Sequence, residues 1–174
     1  MIVLEPITAA NALVFKAVRL RALASDPGAF GSTYGKEASL SDEDWFRRSV
    51  RWSSSGSIGL LAYDGDQPCG IVAGYTEDGD CRRAHVVSMW VDPEHRRTRV
   101  GTALIERVAS WAGGRGLSEL RLMVTGINRG AIAFYQRLGF RMSGYTEPYP
   151  NDPSVLEYEM MLEVPPPAGP PLHS

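Results

Sequence analysis

At 174 residues, 44% hydrophobic and 22% charged, the chain fits one compact domain whose core needs no staples. A formal net charge of −2 gives no general reason to expect nucleic acid or an anionic membrane as partner. No apolar run approaches the roughly 18 residues that a membrane-spanning helix requires.

Ile2 to Ile7 reads as a short opening strand. The start MIVLEPIT lacks a basic stretch before an apolar one, so no signal peptide is expected and a cytoplasmic location is. Thr8 caps a helix running to about Ala24, with Leu13, Val14, Ala17, Val18 and Leu20 as its apolar stripe. Asp26-Pro27-Gly28 stops it, and Ala29 to Leu40 has no period and reads as a loop. Ser41, followed by Asp42, Glu43 and Asp44, is a good N-cap for a second helix to about Val50. Strands Ile58 to Tyr63, Gly70 to Thr76 and Ala84 to Val91 follow, joined by Asp64-Gly65-Asp66 and Asp78-Gly79-Asp80, an antiparallel meander. Val100, Leu104, Ile105, Val108 and Trp111 mark one face of a helix that ends at Gly113-Gly114. Leu120, Leu122 and Val124 alternate as a strand, and Gly130 to Leu138 is a short helix ended by Gly139. Phe140 to Tyr145 and Val155 to Leu162 are the last strands. The order is α+β, a mixed, mostly antiparallel sheet of about seven strands with helices on both faces. Residues 1–164 form the domain, and the proline-rich tail 165–174 is expected to be disordered.

The two cysteines, Cys69 and Cys81, fall too far apart on that meander to bridge, and with His85, His95 and His173 they show no metal-ligand spacing; no metal is expected. The most informative stretch runs from Val91 to Thr102, where a strand ends, a basic turn follows and an amphipathic helix begins at once. The first turn of a helix has free backbone N–H groups and the positive end of the dipole. Arg96, Arg97 and Arg99 surround that point, Gly101 leaves room for close approach and Thr102 offers a hydroxyl, so the parts suit a pyrophosphate. The plainer alternative is an exposed arginine-rich helix start with no ligand. Neither a phosphate-loop lysine motif nor a dinucleotide fingerprint is present.

Arg96-Arg97-Thr98-Arg99-Val100-Gly101 resembles the acetyl-CoA motif of the GNAT superfamily, Arg/Gln-x-x-Gly-x-Gly/Ala, with Arg99 in place of the first glycine. Asn128 to Phe140 is similar to the same family's Asn-x-x-Ala-x-x-Phe-Tyr-x-x-Leu-Gly-Phe segment. The two motifs in this order identify the chain as a member of that superfamily. The resemblance implies the GNAT fold and an acetyl-CoA-dependent N-acetyltransferase acting directly on a primary amine, a small molecule in preference to peptide or protein. It also implies cofactor contacts at Met89, Trp90, Val91, Arg96, Arg97, Thr98, Arg99, Val100, Gly101, Thr102, Asn128, Ala131 and Phe134. A non-catalytic acyl-CoA-binding sensor is the alternative, and a homodimer stays open.

Direct transfer sets three tasks: the ammonium loses a proton, an oxyanion needs a donor, and a departing thiolate needs a proton. By resemblance Tyr135 takes the last, against the reading of a buried aromatic at a helix–sheet seam. Met89 N–H is the expected oxyanion donor, at a bulge where the family's strand splays from its neighbour, with Ser88 assisting. Asn128 bonds the pantetheine arm or simply caps its helix. His85 is the expected base, with an ordinary strand histidine as the alternative; Glu147, Glu157 or an already neutral amine would serve if it is idle. Phe30 and Tyr34 from the loop, and Glu147 and Tyr149 from the segment TEPYPNDPS, are the expected acceptor contacts.

Overall fold

A computed structural model of the chain describes residues 1–167 and 169. Its strands are β1 (Ile2–Pro6), β2 (Ser57–Asp64), β3 (Gln67–Tyr75), β4 (Arg83–Val91), β5 (Glu119–Thr125), β6 (Arg141–Tyr149) and β7 (Asp152–Glu163). Its helices are α1 (Ala12–Ser25), α2 (Tyr34–Ala38), α3 (Asp42–Trp52), α4 (Val100–Gly114) and α5 (Arg129–Arg137). The strands make one sheet in the order β1-β2-β3-β4-β5-β7-β6, antiparallel except where β4 meets β5.

Both faces of the sheet are covered, which is why the middle of β3, Cys69 to Gly74, is buried without alternation. On one face α4 and α5 pack Val100, Leu104, Ile105, Val108 and Tyr135 against Leu60, Val72, Val86 and Leu120. On the other, Phe15, Val18, Ala22 and Leu23 of α1 and Trp45 of α3 pack against Leu61, Ile71 and Trp90. Each fully buried side chain of this kind contributes about 1.5–3 kcal/mol. The tight turn after β2 uses Gly65 at φ 59°, a backbone that glycine adopts without strain.

Two irregularities open the middle of the sheet. The parallel ladder of β4 and β5 consists of Arg83↔Glu119, Ala84↔Leu120 and His85↔Arg121, and beyond His85 the strands part. On its other edge β4 carries a bulge: Ile71 faces Trp90 while Ala73 faces Val87, which leaves Ser88 and Met89 without ladder partners. Ser88 takes φ 57°, in the left-handed region.

Several expectations need correcting. Thr8 caps a short 3₁₀ turn, Ala9–Asn11, and α1 starts only at Ala12. The inner stripe of α1 is Ala12, Phe15, Val18, Arg19, Ala22 and Leu23, so of the expected stripe only Val18 is buried and Leu13 is exposed. The segment taken as a loop holds α2, capped by the Thr33 hydroxyl accepting from Lys36 N–H. The final link shrinks to a turn at Pro150 and Asn151, because β6 and β7 extend toward each other past the expected ends. Residues 168 and 170–174 of the expected tail lie outside the described residues, while Val164 is buried and donates its N–H to Ser118 O. Among the described residues no helix is long and apolar enough to cross a membrane.

Candidate active site

The start of α4 has no cap from its N-cap residue. Arg99 occupies the cap position with an αR backbone and gives no side-chain hydrogen bond to the first turn. Its φ of −81° is ordinary, so the arginine there does not strain the turn; the left-handed residue is Arg97, at φ 61°. Arg97 and Arg99 are exposed, and Arg99 reaches only Glu106, at 3.6 Å. Arg96 differs: its Nε donates to Val91 O (3.0 Å) and its guanidinium pairs with Asp26 (2.6 Å). Thr98 spends its hydroxyl on His95 O and accepts from Val100 N–H. Val100 is fully buried, so any ligand contact there is through backbone, and Thr102 is half-buried.

Gly101 is closed off on one side. A Cβ built on it would lie 3.0 Å from Phe134 Cζ and 3.5 Å from Met89 Cε, so the missing side chain seats the Phe134 ring rather than leaving an open approach. Phe134 leads to Tyr135, which is buried against Phe140 with ring centroids 5.5 Å apart. Burial pushes the Tyr135 phenol far above its ordinary value, so it is fully protonated at neutral pH. Asn128 caps α5, its side-chain oxygen accepting from Ala131 N–H at 3.2 Å. The capping reading of Asn128 therefore holds for that oxygen. Ala131 is half-buried beside it.

On the opposite face the parted strands form the floor of a cleft of about 350 Å³, lined among others by Phe30, His85, Ser88, Arg121, Glu157 and Glu159. Arg19, on the inner face of α1, lines it as well. Its guanidinium grips Glu37 (3.1 and 3.0 Å), stacks on Phe30 at 4.7 Å and donates to Ser88 Oγ at 3.4 Å. Burial alone would raise the Glu37 carboxyl, but Arg19, with Arg48 behind it, holds it below the usual range. Glu159 is likewise held down against burial, by the Ser143 hydroxyl and Arg121. Glu157 goes the other way: burial pushes its carboxyl up and the charge of Glu147, its cross-strand partner, adds to that. His85 stacks on Tyr75 at 5.2 Å, with Nε2 3.6 Å from Glu77.

The four expected acceptor contacts, and Ser88 with them, separate in space. Phe30 and Ser88 line this cleft. Tyr34 and Tyr149 line a more apolar one beside Ile127 and Leu23. Glu147 reaches the first only through Glu157, and its carboxylate accepts from Tyr145 OH. Tyr149 is buried, its one hydroxyl proton shared between Phe30 O (2.5 Å) and Pro27 O (3.1 Å), so it clasps the α1–α2 connection and is not free for a substrate. Asn151 reinforces the clasp from the β6–β7 turn at Phe30 O. Sequence reasoning missed Arg19, Glu37, Arg121 and Glu159. A charge at position 19 in phase with Phe15, Ala22 and Leu23 was the available signal.

Residues 20–140 match the family model described as the acetyltransferase (GNAT) family. Mycothiol acetyltransferase of Clavibacter michiganensis is 32% identical over 142 residues, which are 79% of this chain and 42% of that protein. The chain spans only 25% to 60% of the length of curated relatives that it matches. A GNAT-family acetyltransferase structure from Streptococcus pneumoniae superposes with a TM-score of 0.80 at 22% identity, over 95% of this chain and 100% of that one. An acetyltransferase of Salmonella typhimurium, solved with its cofactor acetyl-CoA, superposes with a TM-score of 0.76 at 14% identity over 99% of each chain.

Proposed function

This chain belongs to the GNAT acetyltransferase family, and we propose that it transfers the acetyl group of acetyl-CoA to a primary amine, a small molecule in preference to a peptide or protein. The observation that carries the reading is the meeting of two half-sites at one break in the sheet. The bulged, unpaired stretch of β4 at Ser88 and Met89 lies between an arginine-flanked helix start and a cleft lined by His85, Arg19, Arg121, Glu157 and Glu159.

The residues present fit the cofactor. The Arg99 cap position gives no side-chain hydrogen bond, among the described residues only Val100 N–H of the first turn is taken up by a side chain, the Thr98 hydroxyl, and Arg97 and Arg99 are exposed beside it, a set suited to phosphates. When bound, acetyl-CoA supplies the activated acetyl group. Met89, freed from the ladder by the bulge, offers its N–H as oxyanion donor, and Arg19 steadies Ser88 next to it. Tyr135, kept protonated by burial, holds the proton for the leaving sulfur. His85 in the cleft takes the proton of the amine. Cytoplasmic action is part of the proposal, in keeping with two unbridged cysteines. The limited cleft volume, and the small-molecule name of the Clavibacter relative, support a small acceptor.

The test is thiol release from acetyl-CoA across a panel of small amines, polyamines and lysine peptides. An active amine should appear, with Tyr135→Phe lowering kcat by about 10²-fold or more while cofactor affinity changes little. Absence of acetyl-CoA binding by calorimetry, with no thiol release for any amine, sinks the reading.

A further inference from the structure

We infer that Asp26 is a positioning residue that couples the cofactor side of the site to the acceptor side, an inference resting on the acetyl-CoA reading above. A single oxygen of its carboxylate, Oδ2, accepts from Ser25 Oγ (2.7 Å), Trp90 Nε1 (2.8 Å) and the Arg96 guanidinium (2.6 Å). Trp90 lies just past the β4 bulge, and Arg96 lies in the turn leading to α4, where it also holds Val91 O. Asp26 is at the same time the first residue beyond α1. Its carbonyl accepts from Ala29 N–H at 3.0 Å, so it sets the start of the segment that runs over the cleft through Phe30. The far end of that segment is fixed separately, by Tyr149 and Asn151 at Phe30 O. One carboxylate thus ties the acceptor segment to both elements proposed to hold the cofactor. Three donors on one partly buried oxygen keep it ionised: burial opposes this, but Ser25, Arg96 and Trp90 together hold the carboxyl below its ordinary range.

A second attachment joins α1 to the same region. Arg21 of α1 pairs with Asp92 at 2.9 Å, donates to Pro68 O and stacks on the Trp90 ring at 5.3 Å. Asp26→Asn leaves that attachment intact, so the variant should fold. What it removes is the charge that keeps Arg96 in register with Trp90.

The experiment measures acetyl-CoA affinity by calorimetry and amide hydrogen exchange of residues 28–32 with and without acetyl-CoA. The proteins are wild type, Asp26→Asn, Arg96→Gln and the double variant, with the exposed pair member Asp42→Asn as a charge-removal control. In the wild type the cofactor should slow exchange in residues 28–32. In Asp26→Asn affinity should fall at least fivefold and that slowing should vanish, while the double variant binds no worse than the weaker single one. Unchanged affinity, a slowing that persists in Asp26→Asn, or effects of the two substitutions that simply multiply would overturn the inference. Failure of the wild type itself to bind acetyl-CoA overturns the proposed function and this inference together.

Discussion

Gly101→Ala tests how closely the cofactor side of the site is packed. The added methyl would meet Phe134 Cζ at 3.0 Å, Phe134 Cε2 at 3.2 Å and Met89 Cε at 3.5 Å. The ring must therefore withdraw by several tenths of an ångström, or the first turn of α4 must tilt. Overpacking of this kind costs about 1–3 kcal/mol. Exchanging glycine for alanine inside a helix returns about 0.5–1 kcal/mol. The balance is a destabilisation between zero and about 2.5 kcal/mol, and at this chain length each 1 kcal/mol lowers Tm by roughly 2–4 °C. Acetyl-CoA affinity should suffer more, by about tenfold, because the displaced groups, Phe134 and Met89, are themselves proposed cofactor contacts. Thermal melts with and without acetyl-CoA separate the two effects, the cofactor-induced rise in Tm shrinking beyond the loss seen in the free protein. A variant that melts higher than wild type and keeps its full ligand-induced shift would refute the reasoning, since Phe134 would then yield freely.

Glu37→Gln should destabilise by about 3–5 kcal/mol, because it leaves the buried Arg19 guanidinium without its counter-charge. The Glu37 carboxyl is held below its ordinary 4.5, so that stabilisation is present above pH 4.5 and fades as pH falls further; melts of both proteins from pH 7 to pH 3 should converge. Glu157→Gln should act in the opposite sense, raising stability at pH 7 by about 0.2–1 kcal/mol, since like charges face each other across β6 and β7. The folded-state value for Glu157 is raised, so the wild type loses stability as pH rises through it, and the advantage of the glutamine variant should disappear toward pH 4. Arg99→Gly should weaken acetyl-CoA binding about two- to fivefold rather than improve it, because the αR backbone at Arg99 has no need of glycine and the change only removes an exposed charge. Isothermal titration at two salt concentrations checks this, with the difference narrowing at high salt.

The elements on which the site is built could be read from the chain because each carried its own local signal. Turn dipeptides bounded β2, β3 and β4, and the apolar spacing of Val100, Leu104, Ile105 and Val108 fixed the inner face of α4. The acceptor side was harder, for reasons that differ from place to place. The inner face of α1 is hard to phase because leucines stand on both sides of it, Leu13 outside and Leu23 inside, and because the buried row carries a charge, Arg19. α2 is only Tyr34–Ala38, too short for a period to show. Pro148 and Pro153 disfavour strand by themselves, yet β6 is an edge strand, where a missing N–H costs little, and Pro153 sits at the start of β7.

Charge in the proposed acceptor cleft is legible only once the register is known. Arg121, Glu157 and Glu159 are far from Arg19 and Glu37 in sequence, and neither spacing nor propensity says which carboxylate meets which guanidinium. The β5–β7 pairing sets Met123 opposite Glu159 and brings Arg121 within reach of it, while the α1–α2 contact gives Arg19 to Glu37. Glu157 is passed over by both: its neighbour across β6 is Glu147, and among the described residues no guanidinium or ammonium pairs with either. The cleft therefore keeps negative character at Glu157 and yields little at Glu159 or Glu37. In the proposed reaction an incoming ammonium would meet its electrostatic attraction on the β7 side of the break, with His85 in the same cleft on β4.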